Sequence, residues 1–322
     1  MNPQARRLLG RLGNSLLVLV VATFAVSMLM RLLPVDLAQV LLPTGSEAER
    51  SALRAEIGLD KNPFAYYVSW LWDFVRGDFG NIYFSGGVES VGSRLASAVP
   101  RSLLLMLYAQ IIALAAAIPL GMWSGYRAGR RADRVISTTL FSFSAIPSFA
   151  IGLTLIVVIG VRFQWLPTLG YEPLSAGLWV HFSHMIMPAL SLSLGLIATY
   201  TRLLRADVVA TLREDYVTMA ASKGISNSRI LWQHVFRPSS LTLFTSAALN
   251  MGALIGGAIV VEAVFATYGL GFEVYTALQG RQFIALQSYV AVIAIFYVLF
   301  NLIVDEAAGF VDPRTRNRKL NG

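Results

Sequence analysis

Six stretches of this chain are long and apolar enough to cross a lipid bilayer, and nothing else in the sequence limits the fold as much. A hydrocarbon core about 30 Å thick needs roughly 20 mostly apolar helical residues. Such runs lie at residues 12–33, 101–124, 135–161, 185–203, 241–261 and 289–310. Backbone groups in lipid must be satisfied within the segment, so each run is expected to be a helix. Pro119, Pro147 and Gly152 fall inside runs, where neighbouring helices can satisfy the freed groups. Hydrophobic residues make up 56% of the 322 and charged residues only 14%, against roughly a quarter charged in soluble domains. The expected class is an all-α polytopic membrane protein. There is no cysteine, which excludes disulfides, thiolate metal sites and cysteine nucleophiles in this chain.

The net charge of +8 reads as a topology signal rather than a nucleic-acid footprint. Basic residues cluster at Arg6, Arg7 and Arg11, at Arg127–Arg134, between Arg202 and Arg237, and at Arg314–Lys319. The long segment after the first run is instead rich in acids, among them Glu47, Glu49, Glu56, Asp60, Asp73 and Asp78. The positive-inside rule then places both termini, residues 1–11 and 311–322, in the cytoplasm. The first run resembles a signal peptide, but it is longer than the usual h-region and no clear small-residue cleavage site follows. It is expected to be retained as a span.

Residues 34–100 are too many for a bare connector and are expected to form an external helical subdomain. Ser46 and Glu49 make a capping box, and Gly58 suits a helix stop. Phe64, Tyr67, Val68, Leu71 and Val75 then share one helical face, as in an amphipathic helix near the outer membrane surface. This subdomain either covers the bundle or meets an external partner.

Residues 206–238, within the core at 101–310, carry the most informative segment. Glu214 and Asp215 suit a helix N-terminus, Ala220 and Ala221 give a low profile, and Gly224 suits the left-handed stop. Ser226 or Ser228 can cap a second helix, which Pro238 is expected to end. The pattern fits a cytoplasmic helix–turn–helix whose small residues admit another surface. It also fits a solvated loop with a charged face.

Met219-Ala220-Ala221-x-x-Gly224 resembles a degenerate form of the EAA loop of binding-protein-dependent ABC importer permeases. Asp215-Tyr-Val, Ala220, Lys223-Gly224 and His234-x-x-Arg237 resemble the B-type transmembrane permease subunits of oligopeptide/dipeptide importers. So do Arg31-Leu-Leu-Pro-Val-Asp36, Arg76-Gly-Asp-Phe-Gly80, Pro147-Ser-Phe149, Trp165-Leu-Pro167 with Gly170-Tyr171, Glu262-x-x-Phe265, Gly269-Leu-Gly271, Asn301-Leu-x-Val-Asp305 and Asp312-Pro-Arg-Thr-Arg316. Tyr268, Gln282 and Pro238 depart from the family's usual Pro, Asp and Asn.

The resemblance implies the six-helix fold of type I importer permeases. It implies a homologous C-type permease subunit, two ATPase subunits or one fused double ATPase, and an external substrate-binding protein. The ATPase-coupling residues would be Glu214, Asp215, Tyr216, Met219, Ala220, Ala221, Lys223 and Gly224. No cofactor is expected in this chain; ATP and Mg would sit on partner subunits, in a bacterial inner membrane. The chain's own residues agree with that division, since no G-x-x-x-x-G-K-[ST] phosphate cradle occurs. Peptide cargo is expected, and relatives of this architecture import nickel, glutathione or haem.

The spans carry almost no central charge, which argues against a proton-coupled symporter. Ser142, Ser144, Asn250 and the glycines of Gly252–Gly257 are candidates to line a path, or equally to mediate close helix packing. His181-x-x-His184 places two imidazoles one turn apart without an accompanying carboxylate or thiol, so a metal or haem role is not expected. An intramembrane protease is disfavoured by the lack of H-E-x-x-H and by histidines outside the span centres. Ser85-Gly-Gly reads as a turn. A passive channel is disfavoured because no span carries a charged or carbonyl-lined filter.

Overall fold

The structure, a computed structural model, describes residues 13, 16–28, 37–42, 44–58, 60–84 and 87–311. The expected terminal segment 1–11, all of the expected 311–322 beyond residue 311, the Arg31–Asp36 and Asp312–Arg316 blocks, and Ser85 and Gly86 lie outside them. The described chain is almost wholly helical. Four helices are long and apolar enough to span a membrane: Val91–Tyr126 (α5), Leu178–Thr211 (α8), Asn227–Phe265 and Phe283–Ile303. The third expected span is a pair, Arg131–Ser144 (α6) and Ser148–Leu155 (α7) with its π-helical extension Ile156–Arg162, bent by 97°. The first is represented by the apolar helix Leu16–Met28 (α1), 13 residues long. The expectation of six therefore stands at four, or five with the bent pair, among the described residues.

The break in α6–α7 has a local cause. α6 is rich in Ser and Thr and closes in a tight turn, with Ala145 N–H donating to Ser142 O and Ile146 N–H to Phe143 O. Pro147 then stands in an extended conformation (φ −58°, ψ 140°) as the cap of α7. By contrast α5 runs through Pro119 and α8 through Pro188, so proline alone does not end a helix here.

The first of two compact units comprises residues 1–101 and 268–298. Its helix Glu47–Glu56 (α3), preceded by the short Leu37–Leu41 (α2), starts with the expected capping box, and Gly58 takes φ +71° after it. Pro63–Val75 (α4) buries a face beside the apolar stripe that is expected to lie near the membrane surface. Tyr66, Tyr67 and Trp70 are buried, while Phe64, Val68 and Val75 are exposed. The buried rings pack on Val20 and Phe24 of α1 and on Ala291 of Phe283–Val311 (α13). Their polar tips decide the choice: Tyr67 Oη lies 2.8 Å from Thr23 Oγ1, and Trp70 Nε1 donates to Ser288 Oγ at 3.4 Å. Phe and Val offer no such bond to a buried hydroxyl.

An antiparallel hairpin, Asn81–Phe84 (β1) with Gly87–Ser90 (β2), was not expected from sequence; Tyr83 opposes Val88. Gln282, the departure from the family's Asp, continues the pairing with its side chain, its Oε1 accepting from Tyr83 N–H at 3.1 Å. α5 begins at Val91 rather than near 101 because Val91, Leu95 and Ala98 pack against Ala285, Tyr289 and Leu270–Gln279 (α12). Arg94 pairs bidentately with Glu89, 2.8 and 2.7 Å, and holds that carboxyl below its ordinary pKa.

The second unit comprises residues 102–267 and 299–322. Here α5 meets α8 through small residues. A Cβ on Gly121 would lie 3.0 Å from Leu204, and one on Gly125 only 2.6 Å from Val208 Cγ1. Gly121 and Gly125 are one turn apart, as are Leu204 and Val208, so two ridges seat in one glycine-lined groove. Beside it, Gln110 Nε2 donates to Tyr200 Oη at 3.1 Å and to Ala247 O at 3.2 Å, tying α5 and α8 to Phe236–Phe265 (α11).

Gly125→Val should therefore lower the stability of the detergent-solubilised protein by about 2 kcal/mol, within the range of overpacked contacts. Gly195→Ala, where nothing lies within 4 Å of the added carbon, should be neutral or mildly stabilising. Thermal unfolding of the two variants checks this.

Candidate functional site

The candidate coupling segment is a separate short helix, Asp215–Ser222 (α9), between α8 and α11. Glu214 stands at its N-cap in an extended conformation (φ −73°, ψ 144°) and Asp215 follows in the first turn, where negative charge meets the positive end of the helix dipole. Its C-terminus closes with paired reverse bonds. Gly224 N–H donates to Ala221 O at 3.0 Å and Ile225 N–H to Ala220 O at 3.3 Å, while Gly224 takes φ +77°. This is a Schellman stop, which requires a left-handed residue at that position.

Two residues of α9 face inward. Val217 and Ala220 are buried in a cluster with Ile230, Val235 and Leu243, and Ile225 packs on the same cluster. Ala220 therefore seats the helix on its own chain rather than presenting the low profile expected of it. Glu214, Asp215, Tyr216, Met219, Ala221, Lys223 and Gly224 are all exposed. So seven of the eight expected coupling residues are exposed on one eight-residue helix and its ends, with Tyr216, Met219 and Lys223 on the side that meets the π turn.

The following helix differs from expectation. Ser226 holds the N-cap position, without a side-chain cap bond, and Asn227–Arg229 (α10) passes through a π-helical turn at Ile230–Val235 directly into α11. Pro238 does not end it. Proline has no N–H to offer the carbonyl four residues back, which is that of His234. The wider π turn accommodates the ring, and Tyr216 Oη reaches across from α9 to donate to His234 O at 3.4 Å. Partial burial, and then the Glu214 carboxylate, push the Tyr216 phenol upward in pKa, so it keeps its proton at neutral pH. Between α9 and the π turn lies an open cavity of about 510 Å³, lined by Tyr216, Met219, Lys223, Gln233 and Arg237 among others.

The candidate path residues do not converge. Ser142 and Ser144 are exposed on α6 and donate to Thr138 O and Phe141 O of their own helix. Asn250 lies on α11 and donates to Ser246 O at 2.9 Å. Ser144 lines a cavity of about 540 Å³ between α6 and α8. His181 is fully buried, with Nδ1 2.6 Å from Glu172 O and Nε2 3.0 Å from Tyr108 Oη. Both of its nitrogens are committed to protein, and no group of three or more metal-ligating side chains occurs among the described residues.

Sequence reasoning missed the polar centre of this unit. Asp133, 3% exposed, receives Arg205 Nε at 2.6 Å and Nη2 at 2.7 Å, Ser124 Oγ at 2.5 Å and Gly129 N–H at 2.8 Å. The available signal is one acid amid the basic run Arg127–Arg134.

Residues 117–317 match the family described as "binding-protein-dependent transport system inner membrane component". The chain belongs to this family. The match takes in α9 and both long helices that flank it, and it makes the protein a multi-pass inner-membrane component. Among its relatives, the oligopeptide transport system permease protein AppB of Bacillus subtilis is 34% identical over 84% of this chain and 86% of its own. The glutathione transport system permease protein GsiC of Escherichia coli K12 is 30% identical over 98% and 99%. An inward-facing structure of the MetNI methionine ABC transporter aligns with a TM-score of 0.57 at 15% identity, covering 68% of this chain and 97% of that one. It shows that the fold is shared.

The stop at Gly224 gives a direct test. Space for a side chain is open there, so any penalty comes from the backbone, about 1–2 kcal/mol for an L-residue held left-handed. Gly224→Val should weaken amide-exchange protection across residues 215–222, whereas Gly224→Asn, which tolerates that conformation, should keep it.

Proposed function

We propose that this chain is the B-type permease subunit of an ATP-driven, binding-protein-dependent importer of short peptides. It forms half of the path, and the Asp215–Gly224 segment takes up the motion of an ATPase. The observation that carries this is the mounting of α9. Its inner face is buried with residues of α11 and the π turn, its N-terminus follows α8, and its outer face is uncovered. A helix held on one side and open on the other transmits a push to both long helices as one body, the rigid-body kind of switch between discrete packings.

The partners in this reading are a homologous C-type permease, two ATPase subunits or one fused double ATPase, and an external binding protein. ATP and Mg bind on the ATPases, because this chain has no phosphate cradle, so it is a transport subunit and not an enzyme by itself. Both termini and α9 lie on the cytoplasmic side, supported by the basic clusters at Arg127–Arg134 and Arg202–Arg237. The likeness to AppB supports oligopeptide cargo. The end-to-end likeness to GsiC supports glutathione, itself a small peptide, as the second reading.

Since the chain has no native cysteine, Met219→Cys introduces a unique, exposed thiol on α9. It should cross-link to an ATPase subunit and never to the external binding protein. Ala221→Trp should abolish ATP-driven uptake with membrane levels of the chain unchanged; normal uptake by this variant overturns the coupling role.

A further inference from the structure

The cavity of about 540 Å³ between α6 and α8 is chemically uneven. Its α6 wall presents Arg134, Ser137 and Ser144, and its α8 wall Thr199, Thr201 and Arg202. Arg205 at its edge is consumed by Asp133. Arg134 and Arg202 have no carboxylate within salt-bridge distance among the described residues. Thr199 donates to Gly195 O and Ser144 to Phe141 O, as hydroxyls in helices commonly do. Thr201 is the exception. It is 3% exposed, and its hydroxyl has no hydrogen-bond partner. A buried donor without an acceptor is destabilising, and an acceptor brought by a ligand relieves it.

We propose that this cavity is a transient binding site for the carboxylate end of a peptide cargo, held by Arg134 and Arg202, with the Thr201 hydroxyl donating to the adjoining amide carbonyl. The assignment rests on the importer reading above and deepens it. A carboxylate presents two oxygens to guanidinium donors, and the Thr201 hydroxyl, which lacks a partner, can donate to the adjoining carbonyl. Leu140, Phe141 and Ala198 also line the cavity and offer apolar contact to a small peptide side chain; a lipid phosphate would satisfy the same arginines, and competition with lipid separates the two. Both guanidiniums are exposed and so are screened by solvent and salt. That keeps the hold weak enough for cargo to leave, as conduction through successive sites requires.

The test uses the assembled importer complex in neutral detergent, without nucleotide or binding protein, and compares trialanine with its C-terminal amide in equilibrium binding. Trialanine should bind about tenfold more tightly than the amide, the size of a charge-assisted hydrogen bond. The double variant Arg134→Gln with Arg202→Gln should erase that preference, Arg202→Lys should retain part of it, and Thr201→Val should weaken both peptides alike. Absence of trialanine binding, equal binding of the two peptides, or a preference that survives the double variant overturns the site. Displacement of trialanine by phosphatidylglycerol micelles but not by neutral ones assigns the pocket to lipid phosphate and overturns the cargo assignment. Failure of the importer reading registers separately, as absence of ATP-dependent uptake by the unmodified complex.

Discussion

The carboxylate of Asp133 gathers three helices at one end of the second unit. Arg205 reaches it from α8, Ser124 from the last turn of α5, and Gly129 N–H from the turn leading into α6. Each of its oxygens receives two of these donors, so the cost of burying a charge is offset by charge-assisted bonds of good geometry. Removing the arginine alone would leave a buried anion, a change that commonly costs about 3–5 kcal/mol. The register of α6 on α8, and with it the cavity between them, depends on this pair. So does the position at which α8 delivers the chain to Glu214.

Beyond that point the geometry follows from backbone chemistry. Gly224 permits the reverse bonds that stop α9, and Val217 and Ala220 anchor it. The π turn lets α11 run through Pro238 while Tyr216 meets the orphaned carbonyl of His234. The result is a short helix that has no independent core and borrows one from its neighbours. In the proposed coupling role, that arrangement makes it move with α8 and α11 rather than against them.

Much of this was legible in the sequence because it rests on local rules. The apolar runs gave the long helices, Ser46 and Glu49 gave the cap of α3, and Gly224 gave the stop of α9. What was not legible was decided by tertiary partners choosing between locally equivalent options. On α4 the stripe of Phe64 and Val68 stays exposed, while hydroxyls on α1 and α13, invisible to local pattern, take the face carrying Tyr66, Tyr67 and Trp70. Pro238 had the local signature of a helix end, and only the π turn and a phenol from another helix made it passable. Of three prolines within apolar runs, Pro147 alone follows a Ser/Thr-rich helix that had already tightened into a turn. Asp133 was hidden for a different reason: its partner Arg205 is 72 residues away, and no periodicity links them.

The groove that Gly121 and Gly125 make for Leu204 and Val208 leaves no slack on either side. These four positions cannot drift one at a time. A methyl gained at 125 is tolerable only in a chain that has already lost bulk at 208, and a lineage that trimmed 208 first would carry a void until the glycine filled out. Homologues should accordingly differ at these sites in matched steps, leaving a signature of paired exchange between two segments some eighty residues apart.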